Sequence, residues 1–408
     1  MKRIAVLMAV AFVDMMGVMI LWPLLPLYAV NLNATPTMVG LLVASFSIAQ
    51  LGSSPVWGYV SDRYGRRPAL LVGLASSAFA YLVFGFTHSL WLLFVSRFVQ
   101  GLGGGTTGVL QAYVADSMPR AERAKALGWL SAATSAGVIL GPAIGSFTHR
   151  FGDAAPGVFA AALVLINVAC AWKWLPESRW GPAGAAPVPR SSETLGTAVR
   201  NIVQPALRVL FEPGRPVSRL IWIYAFAMLA FNALPPIFSL YLHDRFAVTA
   251  DEIGYFFMIF GAVGVIMRTA PVGWFNARLG EVRTMRLGTL LLLTGFIIVP
   301  LAPTLPLFAV AQILLPLGTA LLFPANSALV SHCAEPNEIG LTLGVQQTYR
   351  GIAAVLGPAY AGRAYETLGQ QLPFFISAGI IAFVFYLTLR VRGDTPARRV
   401  APAGSPAA

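Results

Sequence analysis

The sequence has 408 residues, of which 57% are hydrophobic and 11% charged, with a formal net charge of +12. Soluble proteins carry about 25% charged residues, so this composition excludes an ordinary soluble domain and predicts an integral membrane protein. The positive charge does not indicate nucleic-acid binding, because the arginines fall in short loops between apolar runs and not on a basic helix.

About twelve apolar runs are each long enough to cross a bilayer, which takes about 20 helical residues. The first run follows Lys2 and Arg3 and continues to about Val30. That is longer than the apolar core of a signal peptide, so we interpret it as a retained span. Numbered spans 1 to 12, the runs lie at 4–30, 37–61, 68–87, 90–115, 124–147, 156–175, 218–242, 250–277, 284–302, 305–332, 340–363 and 371–393.

The distribution of basic residues predicts the orientation. An even number of spans puts both termini on one side, and most of the 28 Lys and Arg residues lie in the loops of that side. The loops on the other side hold only Arg150, Arg245 and Arg363. Because basic loops stay in the cytoplasm, we expect a multi-pass protein of the cell (inner) membrane with both termini cytoplasmic.

A change in composition divides the chain into two halves. Residues 1–175 form the predicted N-terminal six-helix bundle, and 218–393 form the C-terminal one. Between them, 176–217 begin PESRWGPAGAAPVPR and predict a cytoplasmic linker, with a short amphipathic helix near 193–211. The tail, 394–408, is predicted to be disordered.

The two halves repeat each other. Proline and glycine pairs recur at the same separations in corresponding spans, as in Gly128 and Pro142 against Gly344 and Pro358, Gly58 and Gly65 against Gly273 and Gly280, and Pro23 and Tyr28 against Pro236 and Tyr241. The fold class that follows is an all-α membrane protein, with twelve transmembrane helices in two pseudo-symmetric bundles around a central cavity. The second copy lacks the acids of the first, since Asp14 aligns with Ala227 and Asp62 with Ala277.

The most distinctive motif is GYVSDRYGRR at 58–67, a charged run between spans 2 and 3. It resembles the loop Gly-x-x-x-Asp-Arg-x-Gly-Arg-Arg of the major facilitator superfamily, which implies that fold and secondary transport. We interpret the run as a turn, and Asp116 at the end of span 4 as the acid that pairs with its arginines. The predicted gating residues are Gly58, Asp62, Arg63, Gly65, Arg66, Arg67 and Asp116.

Asp14 is a carboxyl group near the middle of span 1. Apolar surroundings disfavour its charged form, so it could take up or lose a proton as water reaches it. The segment resembles the first helix of tetracycline/proton antiporters, which supports proton coupling. Those proteins have further acids in the third and ninth spans, which are absent here. The alternative is a structural Asp14 permanently paired with an arginine.

Arg97 opens RFVQG in span 4, which resembles the Arg-x-x-x-Gly motif linked with proton transfer in the superfamily. We therefore predict that Arg97 acts with Asp14 in proton coupling. The alternative is an arginine bound only to backbone carbonyls.

Span 5 carries GVILGPAIG, with Gly137, Gly141, Pro142 and Gly145. Small residues at every fourth position allow another helix to pack closely. Together with the proline, the run resembles the antiporter motif of exporters, which favours export over uptake.

Substrate contacts are expected from polar and aromatic side chains in the spans. The candidates are Gln100, Gln111, Phe231, Asn232, Tyr255, Arg268, Asn326, Gln346 and Arg350. The two arginines could bind an anionic group of a substrate, whereas the aromatic residues could equally well pack against neighbouring helices.

The predicted function is proton-coupled export of a small amphipathic organic compound or drug by alternating access. The alternative is uptake or exchange of an organic anion through Arg350 and Arg268. No nucleophile–base pair and no His spacing suited to a metal is visible, so we expect neither an enzyme nor a metal site, and no cofactor besides the proton gradient. The expected partners are substrate, protons and the lipid bilayer, not nucleic acid, and the protein is expected to be a monomer.

Overall fold

The computed structural model describes residues 2–178, 195–269, 271–335 and 338–391. These ranges are helical except for short connections, which confirms the all-α fold class. The remaining linker residues, 179–194, and the tail from 392 onward lie outside the described residues. The domain boundaries given above therefore stay predictions.

The first half contains spans 1 to 6. In chain order they are Lys2–Leu21 with Leu25–Asn31, Pro36–Tyr64, Arg66–Phe86, Leu90–Gly103 with Thr106–Ser117, Arg120–His149, and Ala155–Trp174.

The helix Leu195–Phe211 follows the first half and lies inside the predicted linker. The second half then contains spans 7 to 12. These are Pro216–Asn232 with Leu234–Phe246, Ala250–Thr269 with Pro271–Leu279, Glu281–Ile298 continued by the 3-10 turn Val299–Leu301, Leu305–Ala311 with Leu314–Cys333, Ile339–Leu368, and Leu372–Leu389.

Ten helical segments of the described ranges are long and apolar enough to cross a membrane. The two predicted spans that do not meet this criterion are span 4, which is broken into two short helices, and span 11, Ile339–Leu368. These two spans carry much of the polar sequence, including Arg97, Gln100 and Arg350. The low hydropathy therefore coincides with the candidate functional residues.

Spans 1, 4, 7 and 10 are all interrupted, and these positions correspond between the halves. Span 1 breaks around Pro23 and span 7 at Ala233, just before two prolines. A proline has no N–H to donate and clashes with the preceding turn, so the helix opens there. Span 4 breaks in a run of glycines at Gly104 and Gly105, which have no side chains to hold the helix together.

Two seams join the halves, one between spans 2 and 11 and the other between spans 5 and 8. Both are built in the same way. A Cβ on Gly254 in span 8 would collide with the carbonyl of Pro142, and one on Gly40 in span 2 would collide with the carbonyl of Pro358. Only glycine allows the backbones to approach so closely.

The halves are tied together at one end of the bundle. We call the end where span 1 begins and span 12 finishes the terminal end, and the other the opposite end. In the described ranges, every hydrogen bond between the halves lies toward the opposite end; examples are Ser239 to the Pro23 carbonyl at 3.0 Å and Ser146 to the Ala250 carbonyl at 2.6 Å. The structure is therefore closed at the opposite end.

Candidate functional site

Asp14 is almost fully enclosed within span 1. The residue is 7% exposed, and the Thr106 hydroxyl donates a hydrogen bond of 2.8 Å to its Oδ2 atom. Thr106 is the first residue of the second helix of span 4, directly after the break at Gly104 and Gly105. The break thus brings a hydroxyl group to the carboxyl group, a contact that no sequence motif indicated.

No arginine is paired with Asp14 in the part of the chain that the structure describes, where its hydrogen-bond partner is Thr106. An ionised carboxylate in this position would lack a compensating positive charge, which costs free energy. The arrangement accommodates a carboxyl group that carries a proton. The proton-coupling role of Asp14 nevertheless stays a prediction.

Arg97 is buried in span 4 at 2% exposure. Its guanidinium carbon lies 5.4 Å from the ring centroid of Phe84, within the range of a cation–π contact. Within the described ranges its Nε and Nη2 atoms have no hydrogen-bond partner. Two of the three guanidinium nitrogens therefore bond no backbone carbonyl of the described residues, and the proton-coupling role of Arg97 stays a prediction.

Tyr81 of span 3 lies within electrostatic range of Asp14 and of Arg97. Its hydroxyl oxygen accepts a hydrogen bond of 2.9 Å from Gln100, and its ring packs against Gly17, one turn after Asp14 in span 1. Both Asp14 and Arg97 act on it electrostatically. Tyr81 was not among the predicted site residues, because an isolated tyrosine in an apolar span belongs to no motif.

The charged run between spans 2 and 3 is more helical than predicted. Span 2 continues to Tyr64 and span 3 begins at Arg66, so the expected turn over 58–67 consists of Gly65 alone. This residue has a φ angle of 110°, a conformation that is unfavourable for every residue type except glycine. The charges of the motif therefore lie on helix ends and not on a loop.

Arg66 is the centre of a polar cluster at the terminal end. It forms ion pairs with Asp62 at 2.5 Å and Asp116 at 2.9 Å, and it donates a hydrogen bond to Ser61 at 2.7 Å. Glu177, which the sequence analysis did not select, accepts from the backbone amide of Arg66 at 2.8 Å. All these residues precede the second half, so in this state the cluster joins spans of the first half to each other.

The other predicted gating residues stand outside this cluster. Arg63 is exposed and bonds Tyr59 of its own helix, while Arg67 donates to the Trp172 carbonyl. A Cβ on Gly58 would meet nothing within 4 Å. The gating role of all seven residues stays a prediction.

The glycines of span 5 pack against span 1. A Cβ on Gly137 would lie 2.7 Å from the Phe12 carbonyl oxygen, and one on Gly141 would lie 2.9 Å from that of Met16. Gly145 lies closer still to span 1, against the Ile20 carbonyl. Pro142 differs from the glycines because its carbonyl faces Gly254 of the other half.

Asn326 and Gln346 of the second half bond each other. Both are fully buried, Gln346 donates to Asn326 at 2.9 Å, and Asn326 donates to the Leu220 carbonyl at 3.1 Å. The pair ties spans 7, 10 and 11 together, so its hydrogen bonds are already used within the protein.

The remaining aromatic and amide candidates lie in spans 4, 7 and 8. Phe231 packs against Phe260 and Phe323, with ring centroids 6.1 and 6.2 Å away. Asn232 donates to a carbonyl of its own helix at 2.8 Å, and Tyr255 in span 8 is half-buried. Gln111 in span 4 is exposed.

Arg268 and Arg350 come from spans 8 and 11 and lie close enough to repel each other. Tyr224 of span 7 lies within electrostatic range of both arginines. It is hydrogen-bonded to Gln347, which accepts a bond of 3.3 Å from Arg350. In the described ranges neither arginine forms an ion pair with an acid, so this group of four residues, here called the arginine cluster, carries an uncompensated positive charge.

At the opposite end, two contacts of charged side chains add to the hydrogen bonds between the halves named above. The Nδ1 atom of His149 in span 5 lies 2.7 Å from Asp251 in span 8. Glu366 near the end of span 11 accepts a hydrogen bond of 3.0 Å from the amide of Thr37 in the first turn of span 2. Sequence reasoning missed both, because each pairs residues more than a hundred positions apart.

In the described ranges no three His, Cys, Asp or Glu residues stand close enough together to hold a metal ion. The polar side chains of the described spans gather around Asp14, Arg66, the Asn326–Gln346 pair and the arginine cluster.

A sequence model of the Major Facilitator Superfamily matches residues 7–270 and 220–408, which together cover nearly the whole chain. The chain belongs to this superfamily. It is accordingly a multi-pass membrane transporter of small molecules and not an enzyme, as the charged motif at 58–67 predicted.

Curated relatives cover almost the full length of this superfamily member. Multidrug resistance protein 2 of Bacillus subtilis (strain 168) is 29% identical over 389 residues, which are 94% of each chain. Tetracycline resistance protein, class G, of Vibrio anguillarum is 28% identical over 350 residues, covering 85% of this chain and 86% of that protein. The predicted similarity to tetracycline/proton antiporters is thereby confirmed.

Solved transporters share the fold. The nucleoside transporter NupG superposes with a TM-score of 0.78 at 15% identity, over 95% of this chain and 99% of its own. The human organic anion transporter MFSD10 (TETRAN) superposes with a TM-score of 0.68 at 21% identity, again over 95% and 99% of the two chains. These likenesses confirm the twelve-helix major facilitator fold.

Proposed function

We propose that this transporter exports a small amphipathic organic compound or drug in exchange for protons. The observation that carries the proposal is the buried Asp14, which has a hydroxyl partner and no paired cation in the described structure. The relatives named for multidrug and tetracycline resistance support export as the direction.

The proposed cycle alternates the open side. With the opposite end closed, as in this structure, Asp14 releases its proton toward the terminal end and substrate enters. A proton that later reaches Asp14 from the opposite end neutralises it and returns the carrier. The Arg66 cluster would close the terminal end in the other state. We place the terminal end in the cytoplasm, from the bias of basic loop residues, and the protein in the cell (inner) membrane as a monomer.

The test is efflux from proteoliposomes under an imposed pH gradient. The probes are ethidium as a cation, tetracycline, and fluorescein as an anion. We expect gradient-driven transport of at least one probe, lost in Asp14→Asn and kept in the matched control Glu122→Gln, whose side chain is exposed at the start of span 5. Transport that depends neither on the pH gradient nor on Asp14 would contradict the proposal.

The arginine cluster favours a second candidate, uptake or exchange of an organic anion. Two arginines near each other without a described acid form a site that an anionic group would complete. One solved structure of the same fold is an organic anion transporter. In the same assay this candidate predicts fluorescein exchange that is independent of Asp14 and abolished by Arg350→Ala. The control Arg363→Ala alters an exposed arginine near the opposite end of the same span and should leave it unchanged.

A further inference from the structure

Spans 3 and 4 bring polar groups to Asp14, and the Tyr81 hydroxyl is still free to donate a hydrogen bond. The Gln100 amide nitrogen donates to the Tyr81 oxygen at 2.9 Å, while the Gln100 Oε1 atom has no partner among the described residues. With the amide in this orientation, the hydroxyl proton of Tyr81 remains available for another acceptor. In the part of the chain that the structure describes, no acceptor receives it. Asp14 is the acid whose charge acts on this hydroxyl group.

The ring of Tyr81 is held in place on the face of span 1 that carries Asp14. A Cβ on Gly17 would lie 3.1 Å from Cε2 and 3.6 Å from the hydroxyl oxygen of Tyr81. Gly17 follows Asp14 by three residues, so both lie on one face of the helix. Because Gly17 has no side chain, the phenol ring of Tyr81 fits against span 1 near the carboxyl group of Asp14.

Arg97 acts on the same hydroxyl group. Phe84, whose ring lies beneath the guanidinium group, is one turn from Tyr81 in span 3. The positive charge of Arg97 acts on Tyr81, and a nearby cation makes a phenol a stronger hydrogen-bond donor. Arg97 can thus influence Asp14 through Tyr81 without an ion pair.

We propose that Tyr81 is the positioning residue for proton exchange at Asp14. When the carboxyl group gives its proton to water, the Tyr81 hydroxyl donates a hydrogen bond to the carboxylate and stabilises its charge. When a proton returns from water, this bond is released. Tyr81 keeps its own proton throughout, as a phenol does near neutral pH. The inference rests on the proposed proton-coupled function.

Other titratable groups do not account for the same effect. Spans 5 and 6 pack against span 1, but residues 126–148 and 155–169 contain no Asp, Glu, His, Lys, Arg, Tyr or Cys. Cys170 and Lys173 lie farther along, toward the terminal end of span 6. Span 1 itself has no second charge between Ile4 and Leu21. Tyr81 of span 3 is thus the titratable group on which Asp14 acts, and Arg97 of span 4 acts on Tyr81 in turn.

The first measurement needs no transported substrate. Dicyclohexylcarbodiimide reacts with protonated buried carboxyl groups, and mass spectrometry of the full chain in proteoliposomes measures the labelled fraction of Asp14 against pH. In Tyr81→Phe the ring stays on Gly17 but the donor is lost. We expect the pH of half-labelling to rise by about one unit, the size of one hydrogen bond to a charged group.

The matched control is Tyr360→Phe in span 11. Tyr360 is a half-buried tyrosine that, like Tyr81, has a side-chain partner at its hydroxyl group, Ser377 at 2.8 Å, but it belongs to the other half. Its labelling profile should equal that of the wild type. If Tyr81→Phe does not fold, Gln100→Met provides the test. This variant removes the amide that holds the Tyr81 hydroxyl in position, so it should also raise the half-labelling pH.

The outcomes separate this inference from the proposed function. An unchanged labelling profile in Tyr81→Phe overturns the role of Tyr81, whatever the transport assay gives. A raised profile, together with gradient-driven efflux whose pH optimum moves in the same direction at constant KM, supports both. A raised profile with efflux that ignores the gradient supports Tyr81 as the partner of Asp14 and overturns the proton-coupled function.

Discussion

At the scale of single residues, Thr106 and Asp14 decide how span 1 tolerates a buried acid. The hydroxyl group supplies one hydrogen bond of 2.8 Å and carries no charge, so the carboxyl group can remain protonated without leaving an unpaired cation beside it. An arginine in the same place would hold Asp14 in its ionised form. The geometry therefore suits an acid that exchanges its proton.

We predict that Thr106→Val weakens proton release from Asp14. Valine keeps the volume but removes the donor, and one hydrogen bond to a charged group corresponds to about a tenfold change in the ionised fraction. Proton-driven efflux measured at a fixed pH near neutrality should fall about tenfold. Thr106→Ser keeps the hydroxyl and should stay near the wild-type rate; an equal loss in both variants would contradict the explanation.

At the scale of helices, the two seams between the halves are built from the same glycine–proline contact. Pro142 in span 5 and Pro358 in span 11 occupy equivalent positions in the repeat, and each carbonyl faces a glycine of the other half, Gly254 and Gly40 respectively. The antiporter motif is thus more than a packing strip inside one bundle. Its proline faces the partner bundle, and its glycines face span 1.

We predict that Gly254→Ala and Gly40→Ala each hinder closure at the opposite end. The added Cβ has no room against the proline carbonyl, so the two helices must separate. Spin labels in the loops 32–35 and 369–371 should report a longer distance by double electron–electron resonance, and efflux should fall about tenfold or more. The control is Gly128→Ala, where a Cβ meets nothing within 4 Å. A similar change in distance and efflux in this control would argue against the role of the glycine–proline contacts.

At the scale of the whole molecule, the opposite end is held by few polar contacts. The contact between His149 and Asp251 lies at the seam of spans 5 and 8, and that between Glu366 and Thr37 lies at the seam of spans 2 and 11. Glu366 also meets the positive end of the span 2 helix, where a carboxylate is favourable. The alternating-access cycle requires both contacts to break when this end opens.

We predict that the double variant Asp251→Asn with Glu366→Gln opens the opposite end more often. A cysteine at Tyr255, which is half-buried one turn after Asp251 in span 8, would be labelled by an impermeant maleimide added from that side, in a background without Cys170 and Cys333. Labelling should accelerate several-fold, because each lost contact costs roughly 1 kcal/mol. Glu252→Gln, which changes an exposed acid next to Asp251, should not accelerate the labelling. An unchanged labelling rate in the double variant would show that these two contacts do not hold the opposite end closed.

Several features followed from the chain itself. The apolar runs, the repeat of Pro142 and Pro358, and the motif at 58–67 predicted the fold and the family, because a bilayer accepts only apolar helical segments of a given length. Asp14 and Arg97 stood out for the same reason, since charges are rare within such segments. The breaks at Pro23 and in the glycine run of span 4 also have local causes.

Other features depend on which helices become neighbours. Thr106 and Tyr81 are ordinary residues in sequence and gain importance only because spans 3 and 4 pack around Asp14. Asn326 and Gln346 were selected as substrate contacts, but their mutual hydrogen bond uses their polar groups within the protein. The proximity of Arg268 to Arg350 and the contact of Glu366 with Thr37 each involve residues that are far apart in the sequence. Hydrophobic length and charge fix the helices one at a time, whereas only the packing of the two bundles decides which side chains meet.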